Sequence, residues 1–173
     1  MPALSRTGIV LIDPYNDFLH SDGKLTSALK DLDEKNTISH LKEVVENARL
    51  HSVPIYYGFH QQWTPDHYNG WKYMTPNHVF QQESPDPKNG DVVVSRHWCS
   101  DSFSNTNLDF QSRQREIKRL VFVGLTANTC LKSTTRHAYD LGYQMTMLKD
   151  ATAWWSKELT DVATEFGHCL PRS

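Results

Sequence analysis

Five stretches of the chain are apolar, rich in β-branched residues and free of polar alternation: "GIVLID" (Gly8 to Asp13), "VPIYYGF" (Val53 to Phe59), "DVVVS" (Asp91 to Ser95), "RLVFVG" (Arg119 to Gly124) and "YQMTMLK" (Tyr143 to Lys149). A strand with one wet face alternates, so these read as strands covered on both faces. Between the first two, Ile38, Leu41, Val44, Val45 and Ala48 recur at helical spacing over about three turns, which predicts a helix with one apolar stripe. A second helix is expected from about Asn128 through Leu141, ended by Gly142 in a left-handed conformation. A third, shorter one spans Leu108 to Glu116. Strands alternating with helices predict a parallel sheet, helices on both its faces and right-handed crossovers. "QQESPDPKNGD" (Gln81 to Asp91) is turn chemistry and reads as an exposed connection. With no internal repeat or compositional break, residues 1–173 are expected to form one domain.

Composition narrows the partners. The 173 residues are enough to bury a core without disulfides or a structural metal. The formal net charge of -2 is spread through the chain with no block of Lys or Arg, which argues against nucleic acid and against an anionic membrane surface. No apolar run approaches the ~20 residues that cross a bilayer. The opening "MPALSRT" lacks the apolar run of a secretory signal, so a cytoplasmic location is expected. Cys99, Cys130 and Cys169 are odd in number and lack zinc-type or paired spacing, which suits free thiols in a reducing compartment.

In parallel sheets of this kind, ligands bind beyond the carboxyl ends of the strands. Asp13, Phe59, Ser95 with the residues after it, and the loop before Cys130 all fall at such ends and should share one rim. Cys130 lies where an apolar strand gives way to a helix. There the helix dipole would lower a thiol pKa, and free backbone N–H groups would receive an oxyanion. The alternative is a buried structural cysteine. Asp13 ends an apolar strand, where a carboxylate is costly unless paired or raised in pKa, so it is a candidate general base. It would equally serve to cap a turn with Pro14. Asn16 and Asp17 are supporting polar residues or turn residues.

The stretches "DPYNDF", "VVV" followed by a basic residue and then "SDSFSNTNLD", and above all "VFVGLTANTCLKSTTRHAYDLGY" resemble the isochorismatase-like hydrolases, the cysteine hydrolase superfamily that includes nicotinamidases. The likeness is colinear from about Thr7 to Ala153. It implies an α/β fold of three layers, α-β-α, around a mostly parallel Rossmann-like sheet of five or six strands. It also implies an Asp-Lys-Cys triad in which the carboxylate takes the thiol proton and the sulfur attacks a carbonyl carbon. Asp13 and Cys130 match that pattern. A cis peptide would fall at Leu125-Thr126, with the backbone N–H groups of Thr126 and Cys130 as oxyanion donors. The lysine is replaced. Arg96, directly after "VVVS", is the first choice for its position and His97 the second, because counting back from the "SF" pair favours the latter. A surface arginine is the plain alternative.

Further expectations follow from the resemblance. A substrate pocket would draw on Asn16, Phe18, Trp63, His97, Phe103 and Asn128, with Phe59, Tyr68 and Trp71 adding apolar wall. The nicotinamidase branch binds a metal through a carboxylate and two histidines after the second strand; His60, Asp66 and His67 are the right types in a different pattern, so no metal and no cofactor are expected. The family continues through a further helix into a sixth strand, whereas this chain stops near the end of that helix. The strand Tyr143 to Lys149 is then an expected edge, covered by Trp154 and Trp155 or by a second subunit, hence a homo-oligomer. The expected activity is hydrolysis of a small-molecule C–N amide or ureide bond. Alternatives are hydrolysis of the isochorismate vinyl ether, which removes a salicylate precursor, and a non-catalytic binding module on the same scaffold.

Overall fold

The computed structural model describes residues 6–61 and 91–165. Its centre is a five-stranded parallel sheet of β1 (Thr7–Ile12), β2 (Ile55–Gly58), β3 (Val92–Val93), β4 (Arg119–Leu125) and β5 (Gln144–Ala153), in the order β3-β2-β1-β4-β5. β1 is buried at every position and lies between β2 and β4, which accounts for its unbroken apolar run.

The sheet's two faces carry separate cores. On one, Ile9, Leu11 and Val123 pack with Leu41 and Ala48 of α3 (Thr37–Leu50) and Leu32 of α2 (Asp31–Glu34). On the other, Val10, Ile12 and Phe122 pack with Leu108 of α4 (Leu108–Gln114) and Ala138 of α5 (Lys132–Asp140). A short α1 (Asn16–Leu19) follows β1, and α6 (Lys157–Glu165) follows β5. The layering is helices, sheet, helices, as the alternating pattern predicts.

Three local outcomes differ from the sequence reading. β3 is only two residues long, because it pairs with β2 alone and leaves that register after Val93. β5 runs on to Ala153, past a register shift against β4 between Phe122 and Gly124. The helix expected from Asn128 begins instead as a π-helical turn, Ala127–Leu131, before α5 proper. Gly142 does close α5, with a φ of 87° and the bonds Gly142 N–H to Tyr139 and Tyr143 N–H to Ala138 that typify a left-handed cap.

Two features fix the rim above the strands. Gly124 has a φ of 111°, and a Cβ there would stand 2.2 Å from the Ile12 carbonyl oxygen, so only glycine lets β4 close against β1 one residue before Asp13. Asp31, fully buried, accepts the Trp154 N–H at 2.8 Å and the Thr160 hydroxyl at 2.6 Å, and pairs with Lys35 Nζ at 3.3 Å. One carboxylate therefore ties α2 to the turn after β5 and to α6. Trp155 packs against the α3-side core.

Candidate active site

Four chain segments meet at the carboxyl end of the sheet. Asp13 follows β1 with a φ of 47°, a left-handed conformation that non-glycine residues seldom take. Its N–H donates to the Gly58 carbonyl at 2.9 Å and its carbonyl accepts from Tyr15 N–H at 2.8 Å, so neighbouring backbone holds the turn. The carboxyl group is buried over the strand ends, where Oδ1 accepts the His60 N–H at 3.0 Å and lies 3.1 Å from His97 Nε2. The same carboxyl acts on the Cys130 thiol by charge and hydrogen bond.

Of the two basic residues expected near Asp13, the structure sets His97, the second choice, against its carboxyl at 3.1 Å and Arg96 elsewhere. Arg96 donates to the His60 carbonyl at 3.0 Å, and its guanidinium lies 5.5 Å from the centre of the Phe59 ring. The cause is a bulge. β2 and β3 pair Tyr57 with Val93, but the next bridge pairs His60 with His97, three residues on along one strand and four along the other. The extra residue is accommodated where the Ser95 N–H turns to the Asn107 side-chain oxygen at 2.7 Å. In regular register Arg96 would oppose His60; one inserted residue puts His97 there and exchanges the faces of the two side chains. His97 is fully buried, with Nδ1 2.5 Å from the Cys99 carbonyl oxygen. Burial is the strongest influence on its ring and works against the charged form. Asp13, by charge and hydrogen bond, together with the Cys99 carbonyl and Asp101, outweighs it and raises the pKa.

Cys130 sits in the π-helical turn after β4, beyond a cis peptide bond at Leu125-Thr126. The Thr126 and Thr129 hydroxyls are 2.5 Å apart, and the Thr129 hydroxyl reaches the Cys130 sulfur at 3.8 Å. The expected lowering of the thiol pKa is not found. Burial above all, then the charge and hydrogen bond of Asp13, push the thiol well up, against the Thr129 hydroxyl and the Thr126 backbone, which pull it down. Burial and then the Asp13 carboxylate outweigh those two donors. A neutral thiol beside an acceptor is the resting arrangement.

The remaining expected residues scatter. Asn16 is exposed, and so is Asn128, whose side-chain oxygen accepts from Lys132 Nζ at 3.3 Å. Phe18 and Phe103 are buried: Phe18 packs with Tyr15, and Phe103 packs against His137 and Tyr143. Trp63, Asp66, His67, Tyr68 and Trp71 lie outside the described residues. Among the described residues, no three His, Cys, Asp or Glu side chains gather as metal ligands. Sequence reasoning missed Tyr15, which is fully buried and donates its hydroxyl to the His60 carbonyl at 2.7 Å; burial first and then Asp13 raise its pKa. Its signal was its place two residues after Asp13.

Residues 7–167 match the family model described as the isochorismatase domain. A ureidoacrylate amidohydrolase, RutB, of Rhizobium rhizogenes is 29% identical over 189 residues, covering 94% of this chain and 76% of that protein. Among solved structures, the pyrazinamidase/nicotinamidase of Streptococcus mutans aligns with a TM-score of 0.74 at 24% identity, over 91% of this chain and 92% of that one. The N-carbamoylsarcosine amidase of Thermoplasma acidophilum aligns with a TM-score of 0.65 at 25% identity, again over 91% and 92%.

Proposed function

Since the chain belongs to the isochorismatase family and is a hydrolase, we propose that it cleaves a small-molecule C–N amide or ureide bond with Cys130 as nucleophile and Asp13 as general base. The observation that carries this reading is the convergence of the His60 N–H and His97 on the buried Asp13 carboxyl, beside a Cys130 thiol on which that carboxyl acts by charge and hydrogen bond. The relatives named for ureidoacrylate and N-carbamoylsarcosine support the bond class.

In this reaction Asp13 takes the thiol proton as sulfur attacks the substrate carbonyl carbon. The carbonyl π pair moves to oxygen, facing the backbone N–H groups of Thr126 and Cys130. Collapse of the tetrahedral adduct breaks the C–N bond, and the leaving nitrogen takes the proton back from Asp13. Water, deprotonated by Asp13, then attacks the thioester carbon, or the thiocarbamate carbon of a ureide. Its breakdown returns the thiol and releases an acid, or a carbamate. A thiol that rests neutral fits this sequence, because its proton moves only when a carbonyl is in place to receive the sulfur.

Purified protein assayed with ureidoacrylate, N-carbamoylsarcosine, nicotinamide and isochorismate tests the reading. Turnover of an amide or ureide is expected, with Cys130→Ala and Asp13→Asn each losing at least about a thousandfold. Robust turnover of isochorismate that survives Cys130→Ala would overturn the bond class.

A further inference from the structure

The His97 ring faces two groups that accept. Nδ1 lies 2.5 Å from the Cys99 carbonyl oxygen, which has no proton to give, so Nδ1 must carry one. Nε2 lies 3.1 Å from Asp13 Oδ1. A neutral ring would satisfy this second contact only if Asp13 were protonated and donated to Nε2. Against that, Asp13 Oδ1 already accepts the His60 N–H, and the carboxyl receives the Cys130 thiol. A carboxyl oxygen already committed to accepting leaves Nε2 to donate.

We infer that His97 works as an imidazolium, protonated on both nitrogens, and is the fixed cation of the site. This deepens the hydrolase reading above and takes its catalytic meaning from it. The ion pair is almost wholly buried, with side-chain exposures of 0% for His97 and 2% for Asp13. Removing either partner therefore leaves a desolvated charge. The cation offsets the negative charge that passes from carboxylate to sulfur to oxyanion.

Unlike an amine or guanidinium, an imidazolium titrates near neutrality. The groups around it set where. From β1 comes Asp13, and from the turn after it Tyr15, bonded to the His60 carbonyl. From beyond β2, the His60 ring meets the His97 ring edge-on at 5.2 Å. On its own segment lie Arg96, over Phe59, and Asp101, which is itself bound to His137. From the loop after β4 comes Cys130, through Asp13. The balance raises the pKa of His97 above that of a free imidazole, so the charge is held below that raised pKa and lost as pH rises through it. The site fails on the alkaline side by losing its cation, although its thiol ionises more readily there.

The test needs no knowledge of the substrate. Nitrogen-15 NMR of the full chain labelled in histidine, with His97 assigned by comparison with His97→Gln, should show both ring nitrogens protonated at pH 7. In Asp13→Asn the second proton should be lost at a pH at least about one unit lower. Iodoacetamide labelling of Cys130 at pH 7, read by peptide mapping, should slow at least about tenfold in His97→Gln and recover in His97→Lys, which restores a cation without the imidazole. A neutral His97 at pH 7 in the wild type overturns the inference even where Cys130→Ala proves inactive and the hydrolase reading stands. Equal labelling of Cys130 in wild type and His97→Gln overturns it as well. An active Cys130→Ala, by contrast, would sink the nucleophile reading and leave the state of His97 to the NMR result.

Discussion

The Cys130 sulfur shows how far a local rule reaches. A thiol near a helix start is expected to be acidic, yet here burial and then a carboxylate dominate and push the thiol pKa well up. Reactivity in the free protein should therefore be the reverse of what position alone suggests. Iodoacetamide at pH 7 should modify exposed Cys99 at least about tenfold faster than Cys130, and the Cys130 rate should climb as pH is raised. Timed labelling with peptide mapping measures both, and a faster Cys130 would mean that the thiolate is already formed. Asp13 and Cys130 stood out in the sequence because one closes an unbroken apolar run and the other follows one across a short loop. The neutral thiol was not legible, since it depends on a contact between residues far apart in the chain. Tyr15 was hidden for the same reason: its partner is the carbonyl of His60.

At the scale of elements, all five apolar runs were readable as strands, but the length of β3 was not. β1 and β4, paired on both sides, match their apolar runs closely. β3 shares only one border, and its "VVV" breaks off after two residues. That early break is what exchanged Arg96 for His97, because no pattern of apolar residues reveals a bulge fixed by a side chain twelve residues on. Asn107 is that side chain. Asn107→Ala should cost only about 1 kcal/mol in urea unfolding, since the exposed Ser95 N–H can turn to water. Turnover should fall at least about tenfold as His97 loses its fixed aim at Asp13. Unchanged turnover would show that the bulge is held without Asn107.

Across the molecule, the two sheet faces are packed independently, and buried polar links tie elements together at the rim. Asp31 is one such link, gripping Trp154 N–H, Thr160 and Lys35. Asp31→Ala strands Lys35, whose side chain is 6% exposed and whose other carboxylate partner, Asp161, is 3.8 Å away. A loss of about 3–5 kcal/mol is expected, read from the urea midpoint. A change below about 1 kcal/mol would mean that Asp161 takes over as partner. The meeting of four strand ends has a further consequence, in time. The His60 to Asp13 bond spans 47 residues and the His97 to Asp13 bond spans 84. Each crossover between parallel strands must close before its end of the site exists, and contacts this distant in sequence are among the slowest to form. No fragment holding only β1 and β2, or only β4 and β5, contains both the acceptor and the sulfur. Catalysis is thus the property to arrive last as the chain folds and the first to go when the sheet opens at any one seam, which keeps incompletely folded chains from acting as stray hydrolases.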